Sequence, residues 1–386
     1  MGALSGGHLA TDFASGGVPA LLPFFVERFD LSYTLTAVLM LAATISSSLV
    51  QPLFGLWSDR RGAMWLIPGG VALSGAGIGL AAVAPAYWLV VALVFVAGVG
   101  VAAFHPEGAK FAAFASGRRR ASGMSYFNIG GNAGYALGPI VITPLVLWLG
   151  MEGGLVAVLP VLVVAFALMR VLPHLASLVA EQEEGERPAG EDQVGAMGIL
   201  VAIIALRSVA WFGLLTFVPL WVVSLGHSKA DGNHLLSLML VAGAVGTLVL
   251  GPVADRIGLR RTLLVAQAAL APLIVVFVLV GGVAGAIALM LVGVCVVGTF
   301  GVTMVLSQLY LPRHVGVASG LAIGLAIGIG GVAAVALGAI ADAVDLETAL
   351  YVSAAAPVLG VALCPFLPAP AAPRRLAVEP AGDAVG

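Results

Sequence analysis

Gly55-Leu56-Trp57-Ser58-Asp59-Arg60-Arg61-Gly62 decides the fold, because its pattern is present twice. It returns as Gly251-Pro252-Val253-Ala254-Asp255-Arg256-Ile257-Gly258, with Gly, Asp, Arg and Gly all displaced by 196 positions. Each copy is a short charged turn between two long apolar runs, the second and third of its half of the chain. The second copy continues with Leu259-Arg260-Arg261, whereas the first continues with Ala63-Met64 and lacks those basic residues. Other pairs share the displacement or nearly so: Pro23 with Pro219, and Ala121-Ser122-Gly123 with Ala318-Ser319-Gly320. The chain reads as a duplicated unit.

The medium around that unit follows from composition. Of 386 residues, 61% are hydrophobic and 9% are charged. A soluble domain carries about 25% charged residues. Mean hydropathy is +1.11, so the chain is read as an integral membrane protein. The net charge of -2 says nothing about partners, because the charges are segregated by loop; no nucleic-acid partner is expected of a membrane-embedded chain. Cys295 and Cys364 both lie in apolar runs and imply neither a disulfide framework nor a thiol metal site. The first apolar run has no basic segment before it, so it is expected to be retained as a span.

A span needs about 20 apolar residues. Twelve candidates follow: 5–26, 34–54, 65–83, 88–110, 121–149, 154–172, 196–222, 234–253, 262–281, 284–308, 315–341 and 347–366. The expected fold is all-α, with twelve transmembrane helices in two pseudo-symmetric six-helix bundles, residues 1–172 and 196–367. Residues 173–195 form an acidic linker, with Glu181, Glu183, Glu184, Glu186, Glu191 and Asp192, and 368–386 a disordered tail. All lysines and arginines except Arg28, Lys229 and the in-span Arg207 gather at one set of span ends. That bias places linker, tail and both termini in the cytoplasm.

Ionisable groups inside spans cost about 2.5–3.5 kcal/mol each, which makes them functional candidates. Asp12 lies in span one, with His8 four residues earlier on the same face. It is expected to exchange protons or contact substrate, the alternative being a cap on a neighbouring helix. Arg207 lies mid-span in span seven, with Trp211 one turn on; it suits bidentate binding of an anion, or an ion pair with Asp12. Span four ends Phe104-His105-Pro106-Glu107-Gly108-Ala109-Lys110. His105 and Glu107 are coupling candidates, and a local Glu107–Lys110 pair is the simpler reading. No His-Glu-x-x-His pattern is present, so neither a zinc enzyme nor any cofactor is expected. In span five, Ser125, Asn128, Asn132 and Tyr135 share one face, expected to line a cavity or bond between helices. Gly130, Gly134 and Gly138 share the other, expected to pack closely. Gly316, Gly320, Gly324 and Gly328 form a similar stripe in span eleven.

The charged turns have a physical use. Spans five and eleven begin on the cytoplasmic side, where unpaired N–H groups give each helix end a partial positive charge. Asp59 is expected to dock at span eleven and Asp255 at span five, with Arg60 and Arg256 beside them. This gate, with Gly55, Gly62, Gly251 and Gly258 at its turns, would close the cytoplasmic side.

The repeated turn resembles the loop motif of the major facilitator superfamily of transporters, and Gly134-x-x-x-Gly138-Pro139 resembles a fifth-span motif of its antiporters. A closer resemblance is carried by His8-Leu9-Ala10-Thr11-Asp12, Pro19-Ala20-Leu21-Leu22-Pro23, Gln51-Pro52, Phe104-His105-Pro106-Glu107, Gly130-Gly131-Asn132, Leu206-Arg207-Ser208 and Leu311-Pro312-Arg313-His314-Val315-Gly316. Over nearly the whole chain outside linker and tail it is similar to the fosmidomycin-resistance family of exporters. That resemblance implies a twelve-span fold in a bacterial inner membrane and drug export by proton antiport. The namesake substrate of that family is a phosphonate antibiotic. Gln308 in span ten joins the substrate-side candidates; where relatives often follow that glutamine with an acid, this chain has Leu309. The expected partners are a small molecule, protons and lipid, with the chain acting as a monomer. An importer of organic anions and a non-transporting receptor are the alternatives.

Overall fold

The computed structural model describes residues 1–61, 63–116, 120–179 and 191–369. Side chains at 58–61, 113, 120–123, 174–179, 315, 316, 319, 323, 325 and 326 lie outside that description. The expected gate residues Asp59, Arg60 and Gly62, the stripe residue Gly316, most of the acidic linker and the tail from 370 fall there.

The described chain is helical throughout. In order the helices are α1 (Gly2–Phe29), α2 (Tyr33–Arg61), α3 (Leu66–Val83), α4 (Tyr87–Ala115), α5 (Arg120–Leu149), α6 (Gly153–Val179), α7 (Val194–Ser224), α8 (Lys229–Ile257), α9 (Leu259–Val280), α10 (Gly282–Val297), α11 (Phe300–Tyr310), α12 (Val315–Gly320), α13 (Ala326–Ala343) and α14 (Leu346–Leu363). Helices satisfy their own backbone groups, which hydrocarbon cannot do for them. Ten stretches among the described residues are long and apolar enough to cross a membrane. One of them, Met124–Pro173, holds both α5 and α6, and the helix at Ile327–Ala343 is shorter.

Three boundaries differ from the sequence reading. The run expected as one span over 284–308 is one apolar stretch, Gly282–Tyr310, whose helix is interrupted at Gly298-Thr299 into α10 and α11. Here the Thr299 hydroxyl turns back onto the Cys295 and Val296 carbonyls at 2.7 and 3.1 Å, competing with the regular ladder. The run expected over 315–341 is interrupted by a π-helical turn, Leu321–Leu325. Helix α6 continues through Pro173 to Val179, past the boundary expected at 172.

Glycine sets the closest packing. A Cβ on Gly130 would lie 2.3 Å from the Ser5 carbonyl oxygen of α1, and one on Gly134 would lie 2.1 Å from that of Leu9. The contact is returned by Gly16, whose Cβ would lie 2.1 Å from the Tyr135 carbonyl oxygen. Backbones therefore touch along α1 and α5, the small-residue contact that helices use in lipid, where no hydrophobic force drives them together. Helices α2 and α13 run antiparallel and diverge. A Cβ on Gly338 would lie 2.8 Å from the Tyr33 carbonyl oxygen, one on Gly328 only 3.5 Å from Ser48, and one on Gly320 would meet nothing within 4 Å. Of the expected stripe, Gly324 and Gly328 thus make ordinary contacts and Gly320 makes none.

The helices before the linker are tied to those after it at the tight end of this wedge. The Asp342 carboxylate of α13 accepts from the backbone N–H groups of Tyr33 (2.7 Å) and Thr34 (2.9 Å) and from the Thr34 hydroxyl (2.6 Å). It therefore caps the N-terminus of α2, where the helix dipole favours an anion. Lys229 of α8 pairs with Glu27 of α1. Buried Asn233 donates to the Ala20 carbonyl at 2.9 Å and to the Thr143 hydroxyl at 2.8 Å. At the linker end, Tyr126 and Leu248 are exposed, as are Asp255, Arg256 and Gly258. Gly258, at φ 93°, makes the turn between α8 and α9 that the repeated motif encodes. The start of α5, where Asp255 is expected to dock, lies outside the described side chains.

Two outcomes follow from this packing. Gly134→Val should lower the thermal midpoint in detergent, at a cost of about 1–3 kcal/mol from overpacking, whereas Gly320→Ala should leave it unchanged or slightly raised; similar losses in both would mean that α1–α5 contact is not limiting. Asp342→Asn should loosen the tight end. With Cys295 and Cys364 replaced by serine, a Thr44→Cys thiol under Gly331 should then react several-fold faster with a water-soluble maleimide, and an unchanged rate would remove the cap from the closure.

Candidate functional site

Among the described residues, a group of ionisable side chains inside the bundle sits where α1, α4 and α5 meet. His8 and Asp12 share a face of α1 by the i, i+4 rule, and His8 Nε2 lies 3.2 Å from Asp12 Oδ2. From α4, His105 Nε2 lies 3.4 Å from Asp12 Oδ1. One carboxylate thus receives a histidine on each oxygen. Each imidazole is held from behind: His8 Nδ1 is 2.8 Å from the Phe127 carbonyl oxygen and His105 Nδ1 is 2.9 Å from that of Val101. The His8 ring also stacks on Phe127, with centroids 4.1 Å apart. His8 is buried, while the Asp12 and His105 side chains are 18% and 25% exposed. The three donor atoms lie within 4.8 Å of one another, close enough to share one metal ion. Glu107, two residues beyond His105, is buried.

A second charge lies in α7. Arg207 is 1% exposed. Its Nη1 donates to the Thr299 hydroxyl at 2.5 Å, at the break between α10 and α11. The guanidinium lies 4.9 Å from the centre of the Phe300 ring, and Nη2 is buried without a hydrogen-bond partner. Among the described residues Arg207 makes no ion pair. The alternative pairing of Arg207 with Asp12 is therefore not found: the Asp12 oxygens face two histidines, and Arg207 is met by a hydroxyl and a ring.

The remaining candidates are dispersed. Ser125 and Asn128 are exposed on α5, and Asn132 and Tyr135 are half-buried on the same helix. Trp211 is buried one turn from Arg207, and Gln308 is half-buried on α11. Pro139 follows Gly138 against Gly16 of α1. Sequence reasoning missed Thr299 and Phe300, which look unremarkable in an apolar run, and Gly131. A Cβ on Gly131 would lie 2.4 Å from His8 Nε2 and 2.7 Å from Asp12 Oδ2. Its place in Gly130-Gly131-Asn132 was the available signal. Asn233 and Asp342 were missed too, since their partners lie up to 309 residues away.

A helical bundle that buries opposite charges in separate helix groups, tied together at one end, is the architecture of a membrane transport protein. The Major Facilitator Superfamily model matches residues 4–331, and the chain belongs to that superfamily of transporters; it is not an enzyme. It is 32% identical over 365 residues to an uncharacterized MFS-type transporter, YfnC, of Bacillus subtilis (strain 168), covering 92% of this chain and 89% of that one. It is 28% identical over 376 residues to the fosmidomycin resistance protein of Escherichia coli (strain K12), covering 95% and 92%. Among solved structures, it superposes on the nucleoside transporter NupG with a TM-score of 0.76 at 11% identity, covering 95% of this chain and 98% of that one. A bacterial homologue of the lysosomal transporter Spinster, inward-facing and occupied, gives 0.74 at 14% identity, covering 95% of each. FucP in its outward conformation gives 0.65 at 15%, covering 95% and 98%. These three similarities concern the fold alone.

The surroundings of Arg207 lead to a stability test. A buried charge with incomplete partners costs more in desolvation than it returns. Arg207→Met should therefore leave the thermal midpoint in detergent unchanged or higher. A fall of more than a few degrees would make the guanidinium a structural element.

Proposed function

We propose that the chain is a proton-coupled exporter of a small organic anion, of the fosmidomycin-like phosphonate class. In this reading twelve spans form two six-helix halves, 1–172 and 196–367, in a bacterial inner membrane. Linker and termini are cytoplasmic, and a monomer suffices. The observation that carries the substrate class is Arg207, a buried cation with an unused donor and no ion-pair partner among the described residues. An anion would supply such a group with both acceptors and the opposite charge, and the planar guanidinium suits two oxygens of one carboxylate or phosphonate. Phe300, 40% exposed, covers it and is the side chain that must yield. Trp211 and Gln308 from the second half, and Ser125, Asn128, Asn132 and Tyr135 from α5, supply the walls.

Asp12, with His8, His105 and Glu107, is the coupling group of the first half. Proton uptake there alternates with anion binding in the other half, and the difference in affinity between the two conformations biases the cycle. In this reading the ties at Asp342, Glu27–Lys229 and Asn233 lie at the extracellular end and hold it shut. Asp59 and Asp255, with Arg60 and Arg256, would take over when the cytoplasmic end closes. Export, not uptake, is favoured by the relationship to the fosmidomycin resistance protein.

Transport by proteoliposomes under an imposed pH gradient tests this reading. Fosmidomycin, or another phosphonate from a small panel, should move uphill as protons run the other way. Movement in the same direction as the protons would make the chain an importer. Arg207→Met should lose anionic substrates at least tenfold more than neutral ones; equal losses would separate Arg207 from substrate binding.

A further inference from the structure

We propose that His8, Asp12 and His105 form a binding site for a divalent transition-metal cation of the zinc and cobalt type. Donor spacing is the first support. Zinc–ligand distances of about 2.0–2.1 Å in a tetrahedral site put neighbouring donors about 3.3–3.4 Å apart. The His8 separation is 3.2 Å to Oδ2 and the His105 separation 3.4 Å to Oδ1 of the same carboxylate, and one ligand atom from each of the three residues falls within 4.8 Å of the others. The remaining edges are no longer than 4.8 Å, so a bound cation has only to draw the donors inward.

Tautomer logic is the second support. A backbone carbonyl only accepts hydrogen bonds. The Nδ1 atoms facing the Phe127 and Val101 carbonyls therefore carry the hydrogens, and in the neutral rings both Nε2 atoms are lone pairs. Those lone pairs point at a carboxylate, so three electron-rich atoms converge and a cation among them satisfies all three. Metal-binding histidines are held in this way, with the far ring nitrogen donating to a carbonyl or carboxylate.

Space is the third support. Position 131 of α5 is glycine, and any Cβ there would press on two of the three donors. Asp12 and His105 are also partly exposed, which gives a cation a way in. Two imidazoles and one carboxylate favour zinc or cobalt over magnesium or calcium, which prefer all-oxygen sites. The fourth position is left for water or an anion. A metal and a coupling proton need the same lone pairs, so zinc occupancy stops a cycle that uses them. The site itself rests on geometry, independent of the transport reading.

The test is cobalt titration of the full-length protein in detergent, followed by visible absorption. One Co2+ per chain should give the intense d–d bands of a tetrahedral centre, and equimolar Zn2+ should abolish them. His105→Ala should weaken binding at least tenfold. Gly131→Ala, which keeps every ligand but crowds Nε2 and Oδ2, should weaken it by a similar factor while the circular dichroism spectrum stays unchanged. Absence of the bands, or bands of unchanged affinity in both variants, would overturn the assignment. Zinc should also block proton-coupled flux. If cobalt binds as described but zinc leaves flux intact, the metal site stands and the coupling role of Asp12 falls; if flux is proton-coupled but cobalt does not bind, only the metal site falls.

Discussion

The ionisable cluster of the first six helices depends on two backbones touching. Where Gly134 meets the Leu9 carbonyl and Gly16 meets that of Tyr135, α1 and α5 come closer than any side chain allows. Nothing in lipid pushes them together as water pushes apolar groups, so the contact is held by close packing alone. It brings Phe127 behind His8 and Gly131 in front of it, and so fixes one wall of the ionisable cluster from each side. The other wall comes from α4, which presents His105 to the free oxygen of Asp12. A change of even one methyl along the glycine face would therefore be felt at the charges, without altering a charged residue.

The two charge centres are built on different principles. Asp12 is enclosed, each of its oxygens facing a ring nitrogen whose orientation a carbonyl holds. Arg207 is left incomplete, with one donor spent on a hydroxyl and another unused. The incomplete centre sits at the break between α10 and α11, where Thr299 already diverts hydrogen bonds from the helix ladder. A ligand that engages Arg207 would act directly on a joint of the polypeptide, whereas one at Asp12 meets unbroken helices.

Much of the architecture was legible from the chain. The displaced loop motif disclosed the duplication, and uninterrupted apolar runs marked the helices because a membrane tolerates few alternatives. His8 and Asp12 could be joined on paper, since four residues is one helical turn. His105 could not be joined to them, because helix periodicity says nothing of which turn of α4 lies opposite which turn of α1. Arg207 was legible as a charge in an apolar run, but its partner Thr299 was hidden 92 positions away in a segment that reads as continuous helix. Asn233 and Asp342 escaped for the same reason. Each looks like a residue at the water boundary, and only the packing of distant helices turns it into a tie.

Asp342 has a mechanical consequence. It holds α2 by the first turn, through main-chain N–H groups, at one extremity of a rod of 29 residues, about 43 Å long. The other extremity carries Asp59 and its charged turn. Helix α13 lies beside the fastened tip, touches the middle of the rod loosely at Ser48 and then leaves it. Such a rod behaves as a lever with its fulcrum near Ser48: pressing one tip against its neighbour lifts the other. A rotation of about 20° swings each tip through roughly 7 Å, more than one helical turn. Opening at one end of the bundle and closing at the other would then be a single movement of one stiff body, with no signal to be relayed between them.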